Sequence, residues 1–193
     1  MDLTYGTPKK LADGRYYVKV SKPDSSRFMV QLNKVKLLTK FDESDDVTLE
    51  LNQPSLDKIA EIDAHNIASA KVNCQEWFGK AVADKTLETA YTKSLQEFTM
   101  NTTKARAGSQ VLTKFFGHDK TPVESSALDV GLTCDIILEF SGIWFMQKTF
   151  GPIWRIAQVR LLAPPKKLYP DEYLFQDEEV EGEAVPEPDD DYI

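Results

Sequence analysis

Cysteine and histidine are scarce in this sequence, and their positions exclude several kinds of site. The 193 residues contain two cysteines, Cys74 and Cys134, and two histidines, His65 and His118. Two distant cysteines build neither a disulfide framework nor a tetrahedral cysteine site. A single disulfide between them stays open, and we favour buried, reduced thiols. The histidines lie far apart, without ligands at metal-binding spacing. We therefore predict no metal site.

Motifs for nucleotide chemistry and for membrane insertion are also absent. The sequence contains no P-loop and no Gly-x-Gly-x-x-Gly. No apolar run approaches the ~20 residues that span a bilayer, and the segment Met1–Gly6 lacks the basic and apolar parts of a signal peptide. We expect an intracellular protein without enzymatic activity, cofactor or membrane contact, located in the host cytoplasm or nucleus if it is viral.

Charge is distributed unevenly along the chain. The net charge is −8, but 11 of the 31 acidic residues lie in 168–193, where Lys and Arg are absent. The other 20 acidic residues are balanced by 23 Lys and Arg, so residues 1–167 carry about +3. A mildly basic body with an acidic tail indicates nucleic acid or another charged partner.

Alternating apolar residues predict three strands in the first part of the chain, over 15–20, 27–41 and 47–51. In the second strand the apolar phase changes near Asn33, which predicts a β-bulge there. The inward positions are Tyr16, Val18 and Val20; Phe28, Val30 and Leu32; Val35 and Leu37; and Val47, Leu49 and Leu51.

The middle of the sequence predicts a helical insertion at about 54–127. Ser55 is expected to cap its first helix, which the apolar spacing continues to Gly79. A second amphipathic helix is predicted over 84–98. Residues 99–127 are rich in Thr, Ser, Gly and Lys, and we predict loops there around one short apolar piece.

Strand patterning returns at 132–140. We expect a turn at Ser141-Gly142, followed by strands over 143–149 and 153–162 on either side of Gly151-Pro152. About six short strands predict a mainly β fold with a helical insertion, an α+β class. An antiparallel barrel resembling the oligonucleotide-binding (OB) fold is the favoured architecture, and a sandwich remains open.

The chain divides into a domain and a tail by composition. We predict one OB-like nucleic-acid-binding domain over 1–165 that contains the helical insertion. Residues 166–193 are rich in acid, Pro and Gly and poor in apolar residues, so they cannot offset the entropy of ordering. The sequence therefore predicts a disordered acidic tail.

A basic face is predicted on the first two strands. Their outward residues include five cations, one aromatic ring and no acid. Single-stranded nucleic acid is held by basic grooves and by aromatic rings on which bases stack. A solvated strand face, whose lysines oppose aggregation, explains the same pattern without function. The candidate binding residues are Arg15, Tyr17, Lys19, Arg27, Lys34 and Lys36.

The segment 142–160 concentrates aromatic and basic residues. Adjacent strand residues face opposite sides, so at least one of its four rings should be exposed, although core packing is the commoner fate of any single ring. The candidate binding residues in this segment are Trp144, Phe145, Lys148, Phe150, Trp154, Arg155 and Arg160.

The elements of this sequence are, in order, early basic strands, a helical insertion, the stretch Phe150–Val159 and an acidic end. Their order resembles that of the podophage-type single-stranded DNA-binding proteins, including relatives in nucleocytoplasmic large DNA viruses. The resemblance implies an OB-type barrel that coats single strands during DNA replication and recombination. It also implies a tail that competes with DNA and contacts a DNA polymerase, helicase or primase. The tail residues implied are Asp189, Asp190, Asp191, Tyr192 and Ile193, although the family's tail ends in an aromatic residue and this one ends in isoleucine.

Two functions from different classes follow from these observations. The first is a single-stranded DNA-binding protein, for which self-association is compatible with the sequence. The alternative is a viral structural or transcription-associated interaction protein, whose acidic tail binds a basic partner while the sheet faces are merely packed. Binding of an unstructured oligonucleotide distinguishes the two.

Overall fold

The computed structural model describes residues 2–11 and 14–163. These residues are mainly β with few helices, as the sequence predicts. The predicted acidic tail, the five tail residues 189–193 and the predicted domain end at 165 lie outside the described residues.

Twelve strands and three α-helices occur in the described residues. The strands are β1 (Thr4–Tyr5), β2 (Lys9–Lys10), β3 (Tyr16–Ser21), β4 (Phe28–Leu37), β5 (Asp46–Glu50), β6 (Leu95–Gln96), β7 (Thr99–Lys104), β8 (Arg106–Ala107), β9 (Gln110–Val111), β10 (Lys114–Phe116), β11 (Thr133–Met146) and β12 (Thr149–Leu161). The helices are α1 (Gln53–Val72), α2 (Cys74–Phe78) and α3 (Asp84–Ala90), and a short 3₁₀ helix covers Ser125–Ala127.

The long hairpin of β11 and β12 organises the sheet. β12 pairs antiparallel along β11 on one side, while β4 and then β3 pair with successive parts of β11 on the other. β1 and β2 extend the sheet beyond β3, and β10 lies parallel to the end of β12. The outward side chains of β3, β4, β11 and β12 therefore share one surface, which we call the outer face.

Five strand pairings form a closed cycle. β11 pairs with β4, β4 with β5, β5 with β7, β7 with β12, and β12 with β11 again. The β7–β12 contact is parallel and the other four are antiparallel. Helices α1 to α3 are inserted between β5 and β7.

Alternation of apolar residues determines which side of each strand is buried. Val47 and Leu49 of β5 are fully buried, as predicted. The predicted inward position of Tyr16 is wrong, because its ring is 47% exposed at the start of β3. The predicted β-bulge in β4 is confirmed, because two residues of β4, Asn33 and Lys34, lie opposite one residue of β11, Asp135, between the pairs Ile136–Leu32 and Cys134–Val35. Lys34 takes a positive φ of 53° at this point.

The N-cap of helix α1 lies three residues before the predicted one. Asn52, not Ser55, is the N-cap, and its Oδ1 accepts a hydrogen bond from the Ser55 N–H at 3.1 Å. Ser55 is buried inside the first turn. Leu56, Ile59 and Ile62 pack into the core. Helix α2 ends at Gly79, which adopts the left-handed conformation and confirms the predicted helix end.

The predicted helix over 84–98 is wrong in its second half, because α3 ends at Ala90. Beyond it the chain is extended, so that Tyr91 and Ser94 reach the buried carboxylate of Asp63. The Tyr91 hydroxyl and the Ser94 hydroxyl donate to Asp63 Oδ1 at 2.7 and 2.6 Å, and the Ser94 N–H donates to Oδ2 at 2.8 Å. Burial raises the pKa of Asp63, and the hydrogen bonds oppose the shift. These hydrogen bonds hold the chain after Ala90 in an extended conformation, where the sequence predicts a helix.

Three other sequence expectations are corrected. Residues 99–127 are predicted to form loops, but they contain strand β7, which completes the cycle. The α-helices of the predicted insertion at 54–127 are α1–α3, which end at Ala90. Ser141-Gly142 is an irregularity within β11, not a turn. Gly151-Pro152 lies inside β12, and the turn falls at Gln147-Lys148.

Both thiols match the expectation from the sequence. Cys74 and Cys134 are buried and unpaired. Burial raises the pKa of Cys134 to about 12. Among the described helices none combines the length and apolar character needed to cross a membrane.

Candidate nucleic-acid interface

Tyr17 and Trp144 form an aromatic pair on the outer face. They are direct cross-strand partners on β3 and β11, so their side chains project from the same face of the sheet. Both are half-buried. The Tyr17 hydroxyl donates a hydrogen bond to the Ser141 carbonyl, which fixes the ring against β11.

Each ring of the aromatic pair lies over a glycine of the neighbouring strand. A Cβ at Gly142 would overlap Cε2 of Tyr17 and the carbonyl oxygen of Val18. A Cβ at Gly151 would lie 3.0 Å from Cζ2 of Trp144. The two glycines therefore let the rings lie low on the sheet, with one side of each directed outward.

Cations surround the aromatic pair. Lys9 of β2 is the cross-strand partner of Tyr17, Lys19 follows Tyr17 on β3, and Arg15 immediately precedes β3; all three are exposed. Arg155 of β12 is close enough to influence the tyrosine hydroxyl: burial raises the pKa of Tyr17, and the charge of Arg155 opposes that shift. The site thus combines two fixed rings with positive charge on three strands.

The outer face also carries acids, which come from β11 and not from the first two predicted strands. Arg27 lies 3.5 Å from the carboxylate of Glu139, and Arg160 forms an ion pair with Asp135. Asp135 Oδ1 also accepts the Lys34 N–H at 3.0 Å. Both acids belong to β11 and are engaged by these cations, so they orient positive groups without leaving an unpaired negative charge.

Further along β11 the outer face forms a concave groove of about 350 Å³. It lies between β4, β11, β12 and β10, beyond the Arg27–Glu139 pair. Its lining combines two amides, an aromatic ring, an aliphatic side chain and charged groups: Gln31, Phe116, Lys120, Asp135, Ile137, Gln158 and Arg160.

A sequence model of the Family of unknown function (DUF5871) matches residues 33–177. The chain belongs to this family. No curated protein matches it.

Solved structures similar to this DUF5871 member include the single-stranded DNA-binding protein from bacteriophage Enc34. That structure has 10% sequence identity and a TM-score of 0.48, covering 88% of this chain and 96% of the other. A C-terminal truncation has 10% identity and a TM-score of 0.48 over 83% and 96% of the two chains. The complex with ssDNA has 10% identity and a TM-score of 0.46 over 86% and 99%. In that complex the ssDNA is bound by the phage protein. The resemblance of this chain to proteins of nucleocytoplasmic large DNA viruses stays a prediction.

Three predicted aromatic residues lie in the core of this DUF5871 member. Phe150 is fully buried, Phe145 stacks on it with ring centroids 5.7 Å apart, and Trp154 is 4% exposed. The Trp154 Nε1–H donates to Ser94 Oγ at 2.9 Å. These rings face the protein interior and offer no face to a base, so they are removed from the candidate interface. Trp144 is the ring of this segment that reaches the outer face.

The predicted cations are exposed, but the structure distributes them. Arg15 and Lys19 lie beside the aromatic pair, while Arg27, Lys34 and Arg160 lie farther along toward the groove. Lys36 lies 3.7 Å from Glu50 at the end of β4. Lys148 occupies the β11–β12 turn.

Sequence reasoning missed Lys9 and the groove residues Phe116, Lys120, Ile137 and Gln158. The adjacent phenylalanines Phe115 and Phe116 were a usable signal, because in a strand one of the two must face outward. Within the described chain, no cluster of three or more His, Cys, Asp or Glu side chains is arranged to hold a metal ion.

Proposed function

We propose that this protein binds single-stranded DNA through its outer face and coats single strands during DNA replication and recombination. The aromatic pair carries the proposal: Tyr17 and Trp144 are cross-strand partners on one face, each over a glycine, among Lys9, Arg15 and Lys19. Stacking of bases on such rings contributes ~1–3 kcal/mol per base, and the cations neutralise phosphates. In a duplex the base faces are already stacked, so this arrangement favours single strands.

We also propose that the fold is an OB-type barrel. The closed cycle of five pairings supports it, with one parallel contact between β7 and β12, the third and fifth of its strands in chain order. OB folds commonly bind oligonucleotides on their second and third strands. Here those strands are β5 and β7, whose outward residues include Asp46, Glu50 and Asn101. The exposed side chains of these two strands include neither a ring nor a cation, so we place the proposed interface on the outer face instead.

The acidic tail is proposed to compete with DNA and to recruit a replication protein such as a DNA polymerase, helicase or primase. Its support is the division of charge between residues 1–167, at about +3, and 168–193 with 11 acids. A tethered acidic segment has an effective concentration of ~mM at sites within its reach. This role implies an intracellular location, where replication takes place.

Tryptophan fluorescence provides a direct test. Trp77 and Trp154 are 7% and 4% exposed, whereas Trp144 is half-buried on the outer face. Titration with oligo-dT should quench Trp144 emission stoichiometrically, and a duplex of equal length should quench it far less. In Trp144→Phe, a labelled oligonucleotide should still bind while the quenching disappears. Equal binding of duplex and single strand would contradict the proposal, and absence of any binding would favour the interaction protein.

A further inference from the structure

The groove has a floor with hydrogen-bonding groups on both sides. Ile137 of β11 lies directly opposite Gln31 of β4 and opposite Gln158 of β12. Each amide has donors and an acceptor. The aliphatic floor is thus bordered by groups that can bond to the edge of a planar heterocycle.

Phe116 supplies a ring at the side of the groove. Its neighbour Phe115 packs against Phe41 with ring centroids 5.1 Å apart. Phe116 points to the other side of β10 and is half-buried among the groove residues, outside the hydrophobic core. The ring therefore has no packing role in the core that explains its position.

Two cations border the same groove. Arg160 is the cross-strand partner of Phe116 and is held by Asp135. Lys120 belongs to the turn after β10, which is closed by hydrogen bonds from Lys120 N–H to the Gly117 carbonyl at 3.0 Å and from Gly117 N–H to the Thr121 carbonyl at 2.8 Å. Lys120 is exposed and available to an anion at the rim.

We propose that the groove holds one nucleotide of the bound DNA strand, with its base on Phe116 and Ile137 and its phosphate at Lys120. This inference rests on the proposed function. A ring, two amides and two cations match a base and a phosphate together, and the amides suit any base edge, so the site is not sequence-specific. Ile137 and Trp144 lie on the same side of β11, roughly 20 Å apart at about 3.3 Å per residue. One strand therefore reaches both places.

The test compares Phe116→Ala and Lys120→Gln with Phe98→Ala and Lys85→Gln, which change exposed residues outside the outer face. Affinity for a labelled oligo-dT long enough to span both places is measured by anisotropy, and Trp144 quenching is followed in parallel. Phe116→Ala should weaken binding at least about fivefold. Lys120→Gln should lower the salt slope by about 0.7. The controls should match the wild type, and Trp144 quenching at saturation should persist in every variant.

The outcomes separate this inference from the proposed function. Wild-type affinity in both groove variants, with Trp144 still quenched, would overturn the groove assignment alone. Loss of binding and quenching in the wild type itself would overturn the proposed function. Binding of free dTMP more tightly than oligo-dT, abolished by Phe116→Ala, would replace the strand with a free nucleotide. If Phe116→Ala lowers the melting temperature, the result for Lys120→Gln decides, because that side chain is exposed.

Discussion

Tyr17 and Trp144 are cross-strand partners, and each covers a glycine on the next strand, Gly142 for the tyrosine and Gly151 for the tryptophan. A ring that lies over a glycine is held close to the backbone and loses little further freedom when a base stacks on it. The two glycines are therefore as much a part of the proposed interface as the rings themselves.

Gly142→Ala should disrupt both folding stability and DNA binding. The added methyl group would overlap the Tyr17 ring and the Val18 carbonyl oxygen, and overpacking of this kind costs about 1–3 kcal/mol. Gly6→Ala is the matched control, since its Cβ would meet the Lys19 carbonyl oxygen at an ordinary 3.6 Å. Urea unfolding and oligo-dT titration should show a loss for Gly142→Ala alone. Equal results for the two variants would refute the proposed role of the glycine.

Replacing Arg15 and Lys19 together by Gln should flatten the salt dependence of binding. Each phosphate that is no longer neutralised lowers the slope of log affinity against log salt by about 0.7 on single strands. Lys80 and Lys85, exposed near α3, provide the control pair. Titrations at several salt concentrations measure the slope. A slope unchanged by the first pair would exclude this part of the outer face.

Deleting residues 168–193 should strengthen binding to oligo-dT at low salt. The 11 carboxylates compete with phosphate, and the competition fades as the Debye length falls from ~10 Å at 0.1 M to ~3 Å at 1 M salt. The affinities of the full-length and truncated proteins should therefore converge at high salt. Truncation should also leave the melting temperature unchanged. Equal affinities at low salt would exclude tail competition.

Tyr5 should make folding stability fall at high pH. Burial raises the pKa of Tyr5 from 10.0 to about 12, so the folded state keeps its proton when the unfolded state has lost it. The contribution of Tyr5 to folding stability, about 3 kcal/mol, is fully present below pH 10 and is lost as the pH rises through about 12. Tyr5→Phe should reduce this fall, and Tyr16→Phe, which alters an exposed ring, should not. Some fall should remain, because burial also raises the pKa of Tyr91. Urea unfolding across this pH range measures the fall in folding stability.

Asp63→Ala should destabilise the fold by about 3 kcal/mol or more. The substitution leaves the hydroxyls of Tyr91 and Ser94 and the Ser94 N–H without their acceptor, and each unsatisfied buried group costs about 1–3 kcal/mol. Glu61→Ala removes an exposed carboxylate from the same helix and should have an effect within about 0.5 kcal/mol. Chemical denaturation of both variants provides the comparison. Similar stabilities would show that the network does not hold the chain after α3.

The sequence predicts strands well where apolar residues alternate, as in β4, β5 and the first part of β11. It also predicts the bulge near Asn33, because an extra residue shifts the apolar phase. Strand β7 escapes prediction, since Met100 is its one strongly apolar residue and Thr102 is buried through a hydroxyl bonded to the Trp154 carbonyl. The end of α3 escapes for a related reason: polar bonds to a distant Asp63 override the local helical pattern.

The cations of the candidate interface could be predicted better than its rings. Exposed lysines and arginines follow from strand alternation, so Arg15 and Lys19 are found where the pattern puts them. Which aromatic residues face outward depends on the bulge in β11 and on the aromatic cluster that α2 brings to Phe145. The position of Phe116 in the groove could not be predicted, because it depends on the long-range pairing of β10 with β12.

The cyclic pairing of strands affects how copies of this protein contact one another at high local concentration. A protein that lines a DNA strand holds many identical copies at high local concentration, where free strand edges would join one sheet to the next. In the described part of the chain, four strands of the main sheet pair with a single neighbour and are short: β1, β2 and β6 have two residues each and β10 has three. Lys9, Lys10 and Lys114 lie on these short strands. The longer strand β4 pairs with β5 only at Lys36 and Leu37. In the proposed coating role, the short, lysine-bearing edges disfavour the joining of neighbouring copies into a continuous sheet.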